Sequence, residues 1–160
     1  MSKLGDLLID RVSRRPPDFV IGDVENPYLR RWFIIPRNRW FNLYLHHFCR
    51  SDDDRALHDY PWANMSVLLR GDYIEVLPQG RHVALRAGQW TVRRAKAAHR
   101  IILPIDVTTA DWAEVPVWTL FITGPCVREW GFHCPAGWRH WKDFVSVREG
   151  GNAVGKGCGE

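Results

Sequence analysis

The sequence has no apolar stretch long enough to cross a membrane, and its first residues lack the apolar run of a signal peptide, so a membrane partner is not expected. Cysteine is sparse. The four thiols, Cys49, Cys126, Cys134 and Cys158, form no CxxC or CxxxC pair. They are expected to be reduced in a cytoplasmic setting, with Cys49 in the core and Cys158 free in a glycine-rich tail. Long lysine or arginine blocks are missing too. The net charge is only +4, the arginines are scattered, and no helix-turn-helix or RNA-binding signature is present, so nucleic acid is not an expected partner. Helical periodicity nearly vanishes after Val12, and neither an internal repeat nor an inter-domain linker is visible.

What is present suits one domain. At 160 residues, 46% hydrophobic and 25% charged, the chain is long enough to bury a core. Its nine tryptophans are an excess, and rings of that size serve as core or pocket walls. Leu4, Leu7, Leu8 and Ile9 give helical spacing between Lys3 and Val12, with Ser2 as N-cap and Arg14-Arg15-Pro16-Pro17 as the stop. From there the chain reads as short strands over 18–21, 28–36, 40–49, 65–70, 73–77, 82–85, 89–92, 99–103, 117–123 and 128–133. Turns such as Gly71-Asp72 and Pro78-Gln79-Gly80 separate them. Many short strands at near-regular spacing argue for an all-β barrel or jelly roll. Within 40–49 the apolar series Phe41, Leu43, Leu45, His47 and Cys49 is expected to face inward, with His46 exposed and His82 likewise. The expected layout is a helix at 1–16 packed on a barrel at 17–146, followed by a flexible tail at 147–160.

Two places carry chemistry. Arg55-Ala56-Leu57-His58-Asp59-Tyr60-Pro61-Trp62 sets a histidine, an acid, a phenol and an arginine just ahead of a core strand. His99-Arg100 opens the apolar run Ile101-Ile102-Leu103. Strands of a barrel bring distant residues together, so His58 and His99 are expected to meet inside. Imidazole nitrogen ligates zinc, iron, nickel or copper. Tyr60 shares the face of His58 in an extended chain, and His47, Glu75 and Asn64 are weaker ligand candidates. The alternative for His58 is a strand-end histidine bonded to Asp59 or to a backbone carbonyl. Arg55 and Arg100 offer planar forks to a carboxylate or phosphate; for Arg55 the alternative is an ion pair with the acidic run Asp52-Asp53-Asp54. Trp62 belongs either to the core or to a flat wall for a sugar ring or base. His133 and His140, among tryptophans, line a pocket mouth or merely pack.

The spacing resembles the first motif of the cupin superfamily, Gly…His-x-His-x(3,4)-Glu-x(6)-Gly, followed by a second motif that supplies one more histidine. His58-Asp59-Tyr60 lies over the His-x-His, Asn64 over the glutamate, Gly71 over the closing glycine and His99 over the second-motif histidine. The central words Arg55-to-Trp62 and Trp130-Gly131-Phe132-His133-Cys134-Pro135-Ala136-Gly137-Trp138 are similar to those of small uncharacterised cupins from bacteria and bacteriophages, across residues 40–144. The resemblance implies a double-stranded β-helix, or jelly-roll barrel, with a short N-terminal helix. It also implies a small-molecule ligand inside the barrel and a homodimer.

Two departures divide the functional expectations. Tyr60 replaces a ligand histidine and Asn64 the ligand glutamate. Either a divalent transition metal (Fe, Zn, Ni or Mn) is held by His58, Tyr60 and His99, or the metal has been given up and the pocket kept. The first reading is a metal-assisted dioxygenase or isomerase acting on a small anionic substrate, which Arg55, Arg100, Trp62 and His133 contact. Without metal, His58 and Tyr60 form an acid–base pair of the kind the resemblance to sugar-nucleotide epimerases implies. The second reading is a non-catalytic barrel that captures a nucleotide-like or sugar-like ligand.

Overall fold

Short alternating segments become antiparallel strands in the computed structural model, which describes residues 3–22, 25–52, 56–108, 110–145 and 155–159. Helix α1 (Lys3–Val12) precedes strands β1 (Phe19–Gly22), β2 (Pro27–Phe33), β3 (Asn42–Phe48), β4 (Leu57–His58), β5 (Asn64–Arg70) and β6 (Asp72–Leu77). Then come β7 (Arg81–Arg86), β8 (Trp90–Arg93), β9 (Arg100–Ile102), β10 (Val117–Thr123), β11 (Gly131–Cys134), β12 (Gly137–His140) and the helical turn α2 (Trp141–Phe144). One six-stranded sheet has the order β1-β2-β3-β10-β5-β8. Two three-stranded sheets, β12-β11-β4 and β7-β6-β9, are joined by a bridge in which His58 and His99 exchange both backbone hydrogen bonds, at 2.9 and 3.0 Å. The β5–β6 turn depends on Gly71, which has φ +86°; a Cβ there would also stand 2.7 Å from Val117 Cγ1.

Apolar packing lies on both faces of the large sheet. Leu29, Phe48, Leu68, Tyr73, Leu85, Ile101, Leu103 and Val117 form one core between the sheets. Ile9, Trp32 and Leu45, with Val12, Leu69 and Trp118, form a second beneath α1. Arg70 ties the helix down through Asp6, at 2.7 and 3.0 Å. This second layer overturns the expected facing of β3. Tyr44, His46 and Phe48 point between the sheets, while Leu45 and His47 lie on the helix side. His46 is 2% exposed rather than exposed, and His47 stacks on Trp118 with ring centroids 4.1 Å apart. A face covered by a helix takes leucine as readily as a barrel interior does, so alternation alone did not distinguish the two.

The cysteine expectation also fails for Cys134 and Cys158. Cys134 at the end of β11 forms a disulfide with Cys158, 24 residues on, leaving Cys49 and Cys126 as free thiols. Pairing of this kind is set by the fold rather than by spacing. The described tail residues 155–159 are docked: Arg139 Nη1 donates to the Gly157 carbonyl at 2.6 Å, and Gly157 N to the Phe144 carbonyl at 3.1 Å. The rest of the expected flexible tail lies outside the described residues. No helix among the described residues is long and apolar enough to cross a membrane.

Candidate functional site

The His58–His99 bridge puts two imidazoles side by side, because opposed residues of an antiparallel pair project to the same face. Their ring centroids are 4.7 Å apart, and both residues are buried. Tyr60 joins them, its ring 5.3 Å from each and its hydroxyl 3.5 Å from His58 Nε2. Trp62 stacks behind Tyr60 at 6.3 Å. His58, Tyr60, Trp62 and Asn64 thus follow the two-residue period of an extended chain.

The residue behind His58 is Asp52, which the sequence presents only as part of an acidic run. Its Oδ2 lies 3.9 Å from His58 Nδ1, and it accepts from Ile101 N at 2.6 Å and from the Tyr28 hydroxyl. A carboxylate on the Nδ1 side favours the proton there and leaves Nε2 as a lone pair toward Tyr60. Burial, reinforced by Asp52, raises the Tyr60 pKa, so its phenol stays protonated. Burial, followed by His58 and Arg93, holds His99 well below the usual histidine range. His99 Nδ1 faces the Ala97 carbonyl at 3.3 Å, leaving Nε2 the acceptor.

Asp59 does not partner His58. It is 1% exposed on the opposite face, where it accepts from Gly131 N at 2.9 Å, His133 Nε2 at 3.1 Å and Trp138 Nε1 at 3.1 Å, with Arg128 Nη1 at 2.8 Å. His133 therefore belongs to this clamp and not to the group around His58. Arg100, paired with Val76, follows His99 and so takes the other face of its strand. Arg55 lies outside the described residues. Of the expected site, then, His58, Tyr60, His99 and Trp62 are brought together, and Arg100 and His133 are not.

The opposing interior wall is polar. Across β2, β3 and β10 the residues Arg31, His46 and Thr119 form one row; across β3, β10, β5 and β8, Asn42, Thr123, Asn64 and Arg93 form another. Arg31 Nε donates to His46 Nε2 at 2.8 Å, and its guanidinium lies 4.9 Å over the Tyr44 ring. Arg93 pairs with Glu75 at 2.5 Å. Yet His46 Nδ1, Thr119 Oγ1, Thr123 Oγ1, both amide atoms of Asn64, Arg93 Nη2 and Trp62 Nε1 are buried with no hydrogen-bond partner. Buried polar groups are nearly always bonded, which makes this concentration unusual.

No protein-family model and no curated protein matches the sequence. Solved structures do. A cupin-like protein from Thermotoga maritima is similar at TM-score 0.54 and 9% identity, over 74% of this chain and 85% of its own. A double-stranded β-helix domain protein from Klebsiella pneumoniae is similar at 0.50 and 12%, over 69% and 89%. The chain has a cupin fold. A third neighbour, the DMSP lyase DddQ from Ruegeria pomeroyi, is similar at 0.51 and 11%, over 69% of this chain and 54% of that one. At these identities the likeness is one of fold.

The donor set of His58, Tyr60, Asn64 and His99 does not fit a resident divalent ion. Among the described residues no group of three or more His, Cys, Asp or Glu side chains is placed to hold one. The third donor is a phenol whose pKa burial has raised, and the fourth is a neutral amide. The charge of Arg93 also acts on both His99 and Tyr60, which further disfavours a cation.

Proposed function

We propose that the cupin interior is a metal-free pocket for a small anionic ligand, in which His58 and Tyr60 act as an acid–base pair that moves a proton on the bound molecule. The observation that carries this reading is the alignment Asp52–His58–Tyr60: a carboxylate 3.9 Å from Nδ1 and a phenol 3.5 Å from Nε2. His58 Nε2 takes a proton from a carbon beside a carbonyl. The buried Tyr60 phenol, kept protonated, gives its proton to the ligand while Asp52 stabilises the His58 imidazolium, and the imidazolium then returns its proton to the Tyr60 phenolate across the 3.5 Å between them, restoring both groups. The net reaction is an isomerisation, with no electrons gained or lost. His99, held neutral, presents Nε2 as an acceptor that orients a ligand hydroxyl.

The test is solvent deuterium exchange, followed by proton NMR, on a panel of small carbonyl compounds bearing a carboxylate or phosphate. Wild type is expected to exchange the proton next to the carbonyl of at least one compound. His58→Asn and Tyr60→Phe, both folded by circular dichroism, are expected to slow that exchange by about 10²-fold or more, the usual scale of general acid–base catalysis. Exchange that survives His58→Asn sinks the reading. The unpaired interior atoms favour ligand capture with or without turnover. A ligand that raises the melting temperature without any exchange therefore assigns the protein to the binding class.

A further inference from the structure

Arg31 differs from the other arginines whose contacts position the fold. Arg15 has Asp18 at 2.7 Å, Arg70 has Asp6 at 2.7 Å, Arg93 has Glu75 at 2.5 Å and Arg128 has Asp59 at 2.8 Å. Arg31 is set on the interior face of β2, where Nε is used on His46 and the Tyr44 ring lies beneath the guanidinium. No carboxylate among the described residues lies within ion-pair reach of it. Arg31 is half-buried, and desolvation lowers its pKa, the direction expected of a partly covered charge with no counter-ion. Its charge acts on the phenols of Tyr60, Tyr44 and Tyr28, which places it within electrostatic reach of the proton-transfer pair.

The neighbours in its row are also donors without partners. Because His46 Nε2 accepts from Arg31, the ring proton sits on Nδ1, and that buried N–H has no acceptor. Burial, followed by Arg31, holds His46 well below the usual histidine range, so it stays neutral. Thr119, opposite His46 on β10, has a buried hydroxyl with no partner. Arg31 is half-buried, and with Nε committed to His46 its planar fork still has two Nη groups, which match an oxyanion bidentately.

We propose that Arg31, backed by His46 and Thr119 in the same row, anchors the anionic group of the ligand, a carboxylate or phosphate. This is the role the sequence suggested for Arg55 and Arg100. It rests on the reading that the barrel interior receives a ligand, not on the proton transfer.

The probes are inorganic phosphate and, separately, succinate, titrated into the full chain while the ¹⁵N signals of the Arg31 Nε–H and the His46 ring are followed. At least one of the two anions is expected to bind saturably and shift both signals. Phosphate alone marks a phosphate ligand, and succinate alone a carboxylate. Arg31→Gln is expected to weaken binding about tenfold or more, the scale of one charge-assisted hydrogen bond. Arg31→Lys, which keeps the charge but loses the fork, is expected to fall between; it decides the matter if Arg31→Gln does not fold. Affinity unchanged in Arg31→Gln, or neither anion moving the Arg31 signal, overturns the inference. Anion binding without isotope exchange leaves it standing while the catalytic reading falls. Exchange with anion affinity indifferent to Arg31 does the reverse.

Discussion

Replacing Asp59 with alanine tests whether the clamp behind His58 holds the site in place. The magnitude follows from how exposed each donor is. Gly131 is buried and packed so closely that a Cβ there would stand 2.1 Å from the Arg139 carbonyl, which leaves its amide little access to water. Leaving that N–H unpaired costs about 1–3 kcal/mol. Trp138 is 43% exposed and the His133 side chain 40%, so both turn to water at little cost. The Arg128 side chain is 23% exposed, and losing its partner adds about 1 kcal/mol after screening. The sum is about 3 kcal/mol for Asp59→Ala. Asp59→Asn, which keeps one acceptor oxygen, is expected to lose roughly half of that. Urea unfolding followed by tryptophan fluorescence measures both, with an unchanged slope required for the comparison. A loss under about 1 kcal/mol for Asp59→Ala would refute the reasoning, because Gly131 N must then have found another acceptor.

Two further outcomes are expected. Burial lowers the folded pKa of His46 and His99 well below 6.5 and that of His47 to about 4. The unfolded chain therefore binds more protons as the pH falls, and the stability these groups contribute is complete above about 6.5 and lost below it, by up to ~1.4 kcal/mol per pH unit for each histidine. The His47 share stops growing near its folded value of about 4. Urea midpoints at pH 7.5, 6.5 and 5.5 are expected to fall across the lower step, and a flat profile contradicts the burial of these rings. Tyr60→His, by supplying a third imidazole, is expected to bind zinc at one equivalent by elemental analysis while wild type does not. Stoichiometric zinc in wild type removes the case against a metal.

The fold was legible because strand length and turn chemistry are local. The boundaries 117–123 read from the sequence coincide with β10, and the helix read over Lys3 to Val12 coincides with α1. The strand β4, only Leu57–His58, exists through its pairing with Phe132 and His133 and the bridge to His99, so nothing local announces it. The meeting of His58 with His99 was legible through motif spacing. Asp52 was not, because an aspartate in an acidic run reads as a solvated turn residue. Arg31 does carry a local signal: Leu29, Arg31 and Phe33 share one face of a strand, and an arginine between two inward apolar residues is out of place unless something pairs with it.

The interior of the barrel changes character along each strand. On β3 the inward series runs from Phe48 through His46 to Tyr44, and on β10 from Val117 through Thr119 to Phe121 and Thr123. The apolar end holds Leu29, Leu68, Ile101 and Leu103, where burial of side chains contributes about 1.5–3 kcal/mol each. The second apolar layer under α1 anchors the same sheet from outside. Between them these two layers fix β2, β3, β10 and β5 without help from the polar rows, so Arg31, His46, Thr119 and Asn64 are free to be chosen for something other than stability. Groups left unpaired in a rigid, well-supported wall lower stability, and they persist where a ligand completes them. On the proposed reading, the Arg31 row and the His58–Tyr60 pair share this property: a cation with no carboxylate partner among the described residues on one wall, and an acid–base pair on the other.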